Sequence, residues 1–228
     1  MIFRSKYEKS FLPKGFIAAA LFTSILVCSY LMFADESKII NGLQQYKISG
    51  DFFRHILLLS CFAIYFIRLL MTLFIFFQRK MYWIEAIIIA NIMPFILPYM
   101  AYVGGNSYQP AGLLEVCGIF VFFFGSYLNT RAEYLRHIWK QKEKNQGRIY
   151  VGGWFKFARH INYLGDIILF TGLVLVANQF KLLVVPGLMA FIFITILIPL
   201  KENYLKNKYG IEFTNYASKT KKLIPMIY

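Results

Sequence analysis

A chain of 228 residues that is 58% hydrophobic and only 16% charged departs from a soluble domain, which is roughly 45–50% apolar and about 25% charged. The excess falls in runs of about twenty residues, the length that crosses a bilayer, so a water-soluble fold and disorder are both excluded. The formal net charge of +14, from 25 Lys+Arg against 11 Asp+Glu, follows the loops rather than one face. That is the pattern of basic loops on a membrane protein and excludes a nucleic-acid binder.

The chain starts with a polar segment, 1–14, carrying Arg4, Lys6, Lys9 and Lys14. The apolar stretch Gly15 to Phe33 is too long for a signal-peptide core and reads as a first membrane helix. A mixed-charge loop, 34–54, precedes a second span from Ile56 to Phe77 with Arg68 inside it. After the basic turn Arg79-Lys80, a third span runs from Trp83 to Val103. It contains Pro94 and Pro98, which membrane helices tolerate where neighbours satisfy the freed carbonyls. An uncharged loop, 104–110, leads to a fourth span, Ala111 to Leu128. Residues 129–160 are polar, basic and aromatic. Two further apolar helices, Tyr163 to Ala177 and Leu182 to Leu200, are joined by the tight connection NQFK, and a polar segment, 201–228, ends the sequence.

The expected fold is therefore all-α, a polytopic bundle of about six membrane helices. With six spans, the segments 1–14, 78–82, 129–160 and 201–228 share one side and carry 20 Lys and Arg, against 4 on the other. This places both termini in the cytoplasm, in a bacterium on the inner face of the inner membrane. Cys28, Cys61 and Cys117 each lie in an apolar run, without a CxxC pair. They read as small buried hydrophobes rather than as a disulfide framework or metal site.

Chemistry concentrates in 125–228, where two polar segments flank the last helical hairpin. Asn129, Glu133, Arg136, His137, Arg159, His160, Asn162 and Asp166 fall near helix ends at headgroup depth. Donors and cations gathered there suit a phosphate or carboxylate ligand. With Asn162 as cap of the fifth helix, free N–H groups would favour an anion, and Gly165 would let a backbone or a flat ligand approach. Asp166, at i+4 from Asn162, is either a buried functional carboxylate or part of a cap and interfacial anchor. Glu202 lies just past the sixth apolar run, in what spacing alone reads as a solvated tail. Arg68 and Glu115 lie deeper and could pair with each other, while Glu85 is close enough to an end to snorkel. His55 and His137 read as interfacial residues. No P-loop, dinucleotide fingerprint, nucleophile elbow or zinc motif occurs.

Three blocks carry a family resemblance. They are Gly125-Ser-Tyr-Leu-Asn129-Thr-Arg-Ala-Glu133-Tyr134, the stretch from Gly152 through Arg159-His160-Ile161-Asn162-Tyr163-Leu164-Gly165-Asp166, and Glu202 to Tyr228 with its Ile-Pro-Met-Ile-Tyr ending. Residues 125–228 resemble the C-terminal membrane domain of steroid 5-alpha-reductase-like proteins, which is related to that of sterol reductases and isoprenylcysteine carboxyl methyltransferases. Glu133 stands where those reductases have Asp, and Ile161 where the signature has Pro. The first 124 residues resemble them only in being membrane helices, and would form the substrate side.

The resemblance implies a cytoplasm-facing pocket for NADPH, with Arg159, Lys140 and neighbouring donors holding phosphates, Asn129, Glu133, Asn162, Asp166 and Tyr204 orienting ribose and nicotinamide, and His160, Tyr163 and Glu202 also among the cofactor-binding residues. It implies hydride transfer to an activated C=C bond of a lipophilic substrate entering from the bilayer. A tyrosine or glutamate of the first four helices, Glu115 and Glu85 among the candidates, would polarise the substrate carbonyl. The methyltransferase relatives imply a second reading, with S-adenosylmethionine in the same pocket and Arg159, His160 and Glu202 foremost. Neither reading calls for a metal ion.

Overall fold

The computed structural model describes residues 10–228, so the expectations for Arg4, Lys6 and Lys9 lie outside the described residues. The order of α-helices is α1 (Phe11–Phe33), α2 (Phe52–Met71), α3 (Trp83–Gly105), α4 (Leu113–Gln141), α5 (Ile161–Ala177), α6 (Val184–Ile192), α7 (Ile198–Tyr209) and α8 (Ile211–Lys219). Among the described residues there is no strand, only an isolated bridge between Ala158 and Lys221. Five helical segments are long and apolar enough to cross a membrane: Phe11–Phe33, Phe52–Phe76, Trp83–Gly105, Leu113–Gln141 and Phe180–Tyr209. The remaining apolar helix, α5, has 17 residues. The protein is a polytopic helical membrane bundle, with Phe95, Phe120 and Phe191 among the large apolar side chains on its exposed surfaces.

The chain forms two compact units. Among the described residues, one comprises 10–122 together with Thr171–Leu183, the other Phe123–Phe170 together with Val184–Tyr228. In the first unit, α1 packs against α2 and α3, around a core that includes Ile17, Leu73, Met81, Ala86 and Ala90. Pro98 lacks the N–H that would bond the carbonyl of Pro94, four residues earlier. Ser24 of α1 donates its hydroxyl to that carbonyl at 2.9 Å, which satisfies a buried acceptor. Five residues of π-helix, Thr72–Phe76, extend α2. Buried Lys14 donates to the carbonyl of Phe77 at 2.6 Å, a cation placed at the negative end of a helix.

Deep charges in this unit pair differently from the expectation. Glu115 meets Arg54, not Arg68, at 2.6 Å, with side chains 2% and 0% exposed. Its other carboxylate oxygen accepts from the N–H of Gly112 at 2.7 Å, so it also caps the start of α4. Arg68 lies beside the ring of Tyr65, 5.4 Å from its centre. Glu85 is bound by Arg79 at 2.9 Å. His55 is buried rather than interfacial, its Nε2 lying 2.8 Å from the Gly105 carbonyl oxygen. Cys28 and Cys61 are buried as expected, whereas Cys117 is exposed.

The second unit departs from the sequence reading in where its helices end. The apolar run of the fourth span stops at Leu128, yet α4 continues to Gln141. Asn129, Glu133 and Lys140 therefore share one rigid helix. The sixth run is not a single helix ending at Leu200. It begins with a turn at Phe180–Leu183, passes through α6, widens into π-helix over Phe193–Leu197, and continues as α7 to Tyr209. Glu202 and Tyr204 thus stand on a helix, not in a tail. Gly210, at φ 53°, turns the chain from α7 into α8 through a conformation that side chains disfavour.

Within this unit the two helices α4 and α5 touch through glycine. A Cβ on Gly165 would lie 2.7 Å from the backbone nitrogen of Asn129, and one on Gly125 would lie 2.4 Å from that of Leu169. Gly165 therefore serves helix contact, which brings Asn129 of α4 against the start of α5. Close approach through small residues is the usual way membrane helices associate. A further core consists of Leu128, Ala132, Phe155, Ala158 and Ile161.

Candidate cofactor site

The site is built where α4 leaves its apolar stretch and α5 begins. The expected cap, Asn162, lies inside α5, which starts at Ile161. It is His160 whose carbonyl accepts the first turn's bonds, from the N–H groups of Tyr163 and Leu164 at 2.9 and 3.3 Å. Asn162 is thereby free to cross to α4. Its Nδ2 donates to Glu133 Oε1 at 3.0 Å, and Asn129 Nδ2 donates to the Asn162 carbonyl at 2.8 Å. Glu133 also binds Arg136 one turn along α4. Arg136 in turn lies 5.4 Å from the centre of the Phe155 ring. The motif residues Asn129, Glu133 and Asn162 thus form one hydrogen-bonded unit.

Arg159 and His160 are held by the C-terminal segment. Their backbone N–H groups donate to the carbonyls of Lys221 and Lys222 at 2.9 and 2.8 Å. The Arg159 guanidinium donates to Glu202 of α7 at 2.7 Å, to the Ala217 carbonyl at 3.0 Å and to the Thr220 carbonyl. This places an always-charged group at the meeting of α7, α8 and the terminal segment. The His160 ring is 3% exposed and stacks on Tyr163, which stacks on Phe193 of the π-helical segment. His160 Nε2 lies 3.5 Å from Glu202 and has no hydrogen-bond partner. Burial pushes its pKa below the ordinary histidine value, against the smaller raising effect of Glu202. His160 is therefore a neutral ring, in keeping with an imidazole removed from water.

These groups surround a cavity of about 170 Å³. Of the residues singled out in the sequence, Lys140, Arg159, His160, Asn162, Tyr163 and Tyr204 line it. Asn129, Glu133 and Glu202 bond to lining residues from behind. Asp166 stands one turn further along α5, outside the lining residues described. The wall also contains Arg136, expected among the cations at the helix ends, and Tyr150, Lys201, Tyr209 and Tyr216, to which the sequence reading gives no role in a site. The signal for two of them is helical spacing: Lys201 and Tyr209 fall on one face of α7 with Tyr204 and Leu205, a pattern visible once α7 is carried to Tyr209. Tyr216 donates to the Phe155 carbonyl at 2.6 Å. Burial raises the pKa of both Tyr216 and Tyr150, so these hydroxyls keep their protons.

Charge is the cavity's plainest property. Arg136, Lys140, Arg159 and Lys201 all face it, and no Asp or Glu is among its described lining residues. Lys140 donates to two neutral oxygens, the Arg148 carbonyl at 2.6 Å and the Tyr209 hydroxyl at 2.7 Å. Among the described residues no group of three or more metal-ligating side chains occurs.

Fold and site together define a multi-span helical membrane protein with a cationic, tyrosine-rich cavity at the ends of its last helices. The chain belongs to the family described as "Protein of unknown function (DUF1295)", whose profile matches residues 67–220. The matched region includes α4, α5 and α7 and every lining residue of the cavity. A comparison with curated proteins finds no match.

Proposed function

We propose that this protein is a membrane-embedded, NADPH-dependent reductase of an activated C=C bond in a steroid-like or other lipophilic substrate. The observation that carries the proposal is the cavity lining: Arg136, Lys140, Arg159 and Lys201 outnumber the two carboxylates beside it, Glu133 and Glu202, which pair with Arg136 and Arg159, and no Asp or Glu is among the described lining residues. Such a wall favours a ligand with several negative charges, as a phosphorylated dinucleotide has. It disfavours S-adenosylmethionine, whose transferable methyl sits on a sulfonium cation. The likeness of the Asn129–Glu133 and Arg159–Asp166 blocks to steroid 5-alpha-reductase-like proteins supports the same reading.

The residues present fit the anionic part of NADPH. His160 Nε2 is a buried polar atom 3.5 Å from Glu202 and without a hydrogen-bond partner, of the kind a ligand completes. The cavity volume of about 170 Å³ is below the roughly 300–1,000 Å³ of small-molecule pockets, so it encloses only a portion of a dinucleotide. When bound, NADPH supplies the hydride. Arg136, Lys140 and Arg159 hold phosphate oxygens. Asn162, fixed by Asn129 and Glu133, presents its remaining polar groups at the start of α5. Protonated hydroxyls such as Tyr150 and Tyr216 keep the wall hydrogen-bonding at neutral pH. The 20-to-4 division of basic residues supports six crossings, with the cavity and both termini on the cytoplasmic side.

The test is turnover. Purified protein in detergent is supplied with NADPH and a panel of α,β-unsaturated lipid ketones, and the fall in NADPH fluorescence is followed together with the mass of the product. Gain of one H₂ by a substrate, lost in Arg159→Ala, is the expected result. A methylated product formed from S-adenosylmethionine by the same preparation would overturn it.

A further inference from the structure

We propose that Tyr209 is a phosphate-binding residue of this cavity. Its hydroxyl fixes Lys140 so that one phosphate group of the ligand is held by the ammonium and the phenol together. The inference rests on the reductase reading only for which phosphate that is.

An ammonium has three N–H donors. Lys140, in the last turn of α4, commits two of them, to the Arg148 carbonyl at 2.6 Å and to the Tyr209 hydroxyl at 2.7 Å. Both acceptors are neutral, so the charge is oriented without being compensated. The third N–H remains for a ligand. The phenol receives the lysine's hydrogen on a lone pair, which leaves its own proton to donate. Both side chains line the same cavity. Tyr209 is the last residue of α7, and Gly210 turns the chain directly after it, so the ring sits at a fixed helix end. Lys208 lies 5.4 Å from the centre of that ring and adds to the positive field.

Two donors and an uncompensated charge suit a group with several acceptor oxygens and more than one negative charge. Phosphate has that chemistry. On a pyridine dinucleotide it is found twice, as the phosphomonoester that distinguishes NADPH from NADH and as the pyrophosphate common to both.

Calorimetric titration of the full chain in detergent micelles separates these cases. NADPH, NADH and inorganic pyrophosphate are titrated into wild type, Tyr209→Phe, Lys140→Gln and the double variant. Phenylalanine keeps the ring and removes only the hydroxyl. The affinity of Tyr209→Phe for the phosphate ligand is expected to fall about ten- to a hundredfold, the effect of a hydrogen bond to a charged group. The double variant is expected to be no weaker than Lys140→Gln alone, because the two groups act as one.

Loss for NADPH with NADH unchanged supports the proposal and assigns the monoester. Equal loss for both supports it and assigns the pyrophosphate. Wild type that binds pyrophosphate but neither dinucleotide, with Tyr209→Phe weakened, upholds the clamp and overturns the reductase reading. Unchanged affinities in Tyr209→Phe, or losses that add in the double variant, overturn the clamp and leave that reading intact. If Tyr209→Phe does not fold, Lys140→Arg decides. It keeps the charge but not the bond geometry, and full affinity in it overturns the proposal.

Discussion

Replacing Glu115 by alanine removes one partner of an ion pair whose side chains are 2% and 0% exposed. Arg54 would retain a single acceptor, the Ser107 carbonyl at 3.0 Å, and its Nε already has no partner. Breaking a pair this deep costs about 3–5 kcal/mol, because the remaining charge stays buried. For a chain of this size each kcal/mol moves the midpoint of unfolding by about 2–4 °C, so Glu115→Ala is expected to melt roughly 6–20 °C lower. The double variant Arg54→Met with Glu115→Leu buries no charge. It is expected to recover the loss, or to exceed wild type by about 1–4 kcal/mol. Thermal unfolding in detergent reads both. NADPH affinity below the melting range is expected to be unchanged in each, since the pair belongs to a different unit from the cavity. A Glu115→Ala protein that melts within roughly 2 °C of wild type would refute the assignment of this carboxylate to stability. So would a folded variant that had lost only its ligand affinity.

Three further outcomes are expected. Asn162→Ala releases Glu133 while leaving the Asn129 bond to the residue-162 carbonyl in place, and should weaken NADPH binding about tenfold or more, with the protein still inserted and folded; undiminished affinity would exclude the Asn162 side chain from the site. Gly165→Ala puts a methyl 2.7 Å from a backbone nitrogen of α4 and should lower the unfolding temperature more than Gly187→Ala, where a Cβ meets nothing within 4 Å. His160 is buried with its pKa held below the ordinary 6.5, so protonation favours the unfolded chain. Stability should therefore be full above pH 6.5 and decline as pH falls from there toward the depressed folded value. His160→Gln should lack that decline, as unfolding followed against pH would show.

The spans were legible because twenty-residue apolar runs have little other use in a chain this hydrophobic. Where helices end was less legible. Asn129, Glu133 and Lys140 mark the end of an apolar stretch but not of α4, since a helix entering water needs only its hydrogen bonds to continue. Glu202 and Tyr204 were misplaced in a tail for the same reason. Asn162 has the chemistry of a cap, yet α5 starts one residue before it, with His160 at the cap position and the Asn162 side chain bonded to Glu133. Glu115 was set against the wrong arginine because both Arg54 and Arg68 lie on α2, and spacing does not say which one faces α4. Gly165 was readable as a close-approach site, though not as one facing a helix rather than a ligand. Lys201 and Tyr209 complete the cavity through helical spacing that appears only once the end of α7 is known.

The proposed ligand of the cavity is a phosphorylated nicotinamide dinucleotide. The direct measurement is the unfolding temperature of the detergent-purified protein with NADPH and with S-adenosylmethionine in parallel, each in large excess. A ligand that binds only the folded state adds about 2.7 kcal/mol at a hundredfold excess over its dissociation constant. The expected result is a rise with NADPH, lost in Arg159→Ala, and none with S-adenosylmethionine. A rise with S-adenosylmethionine alone would contradict it.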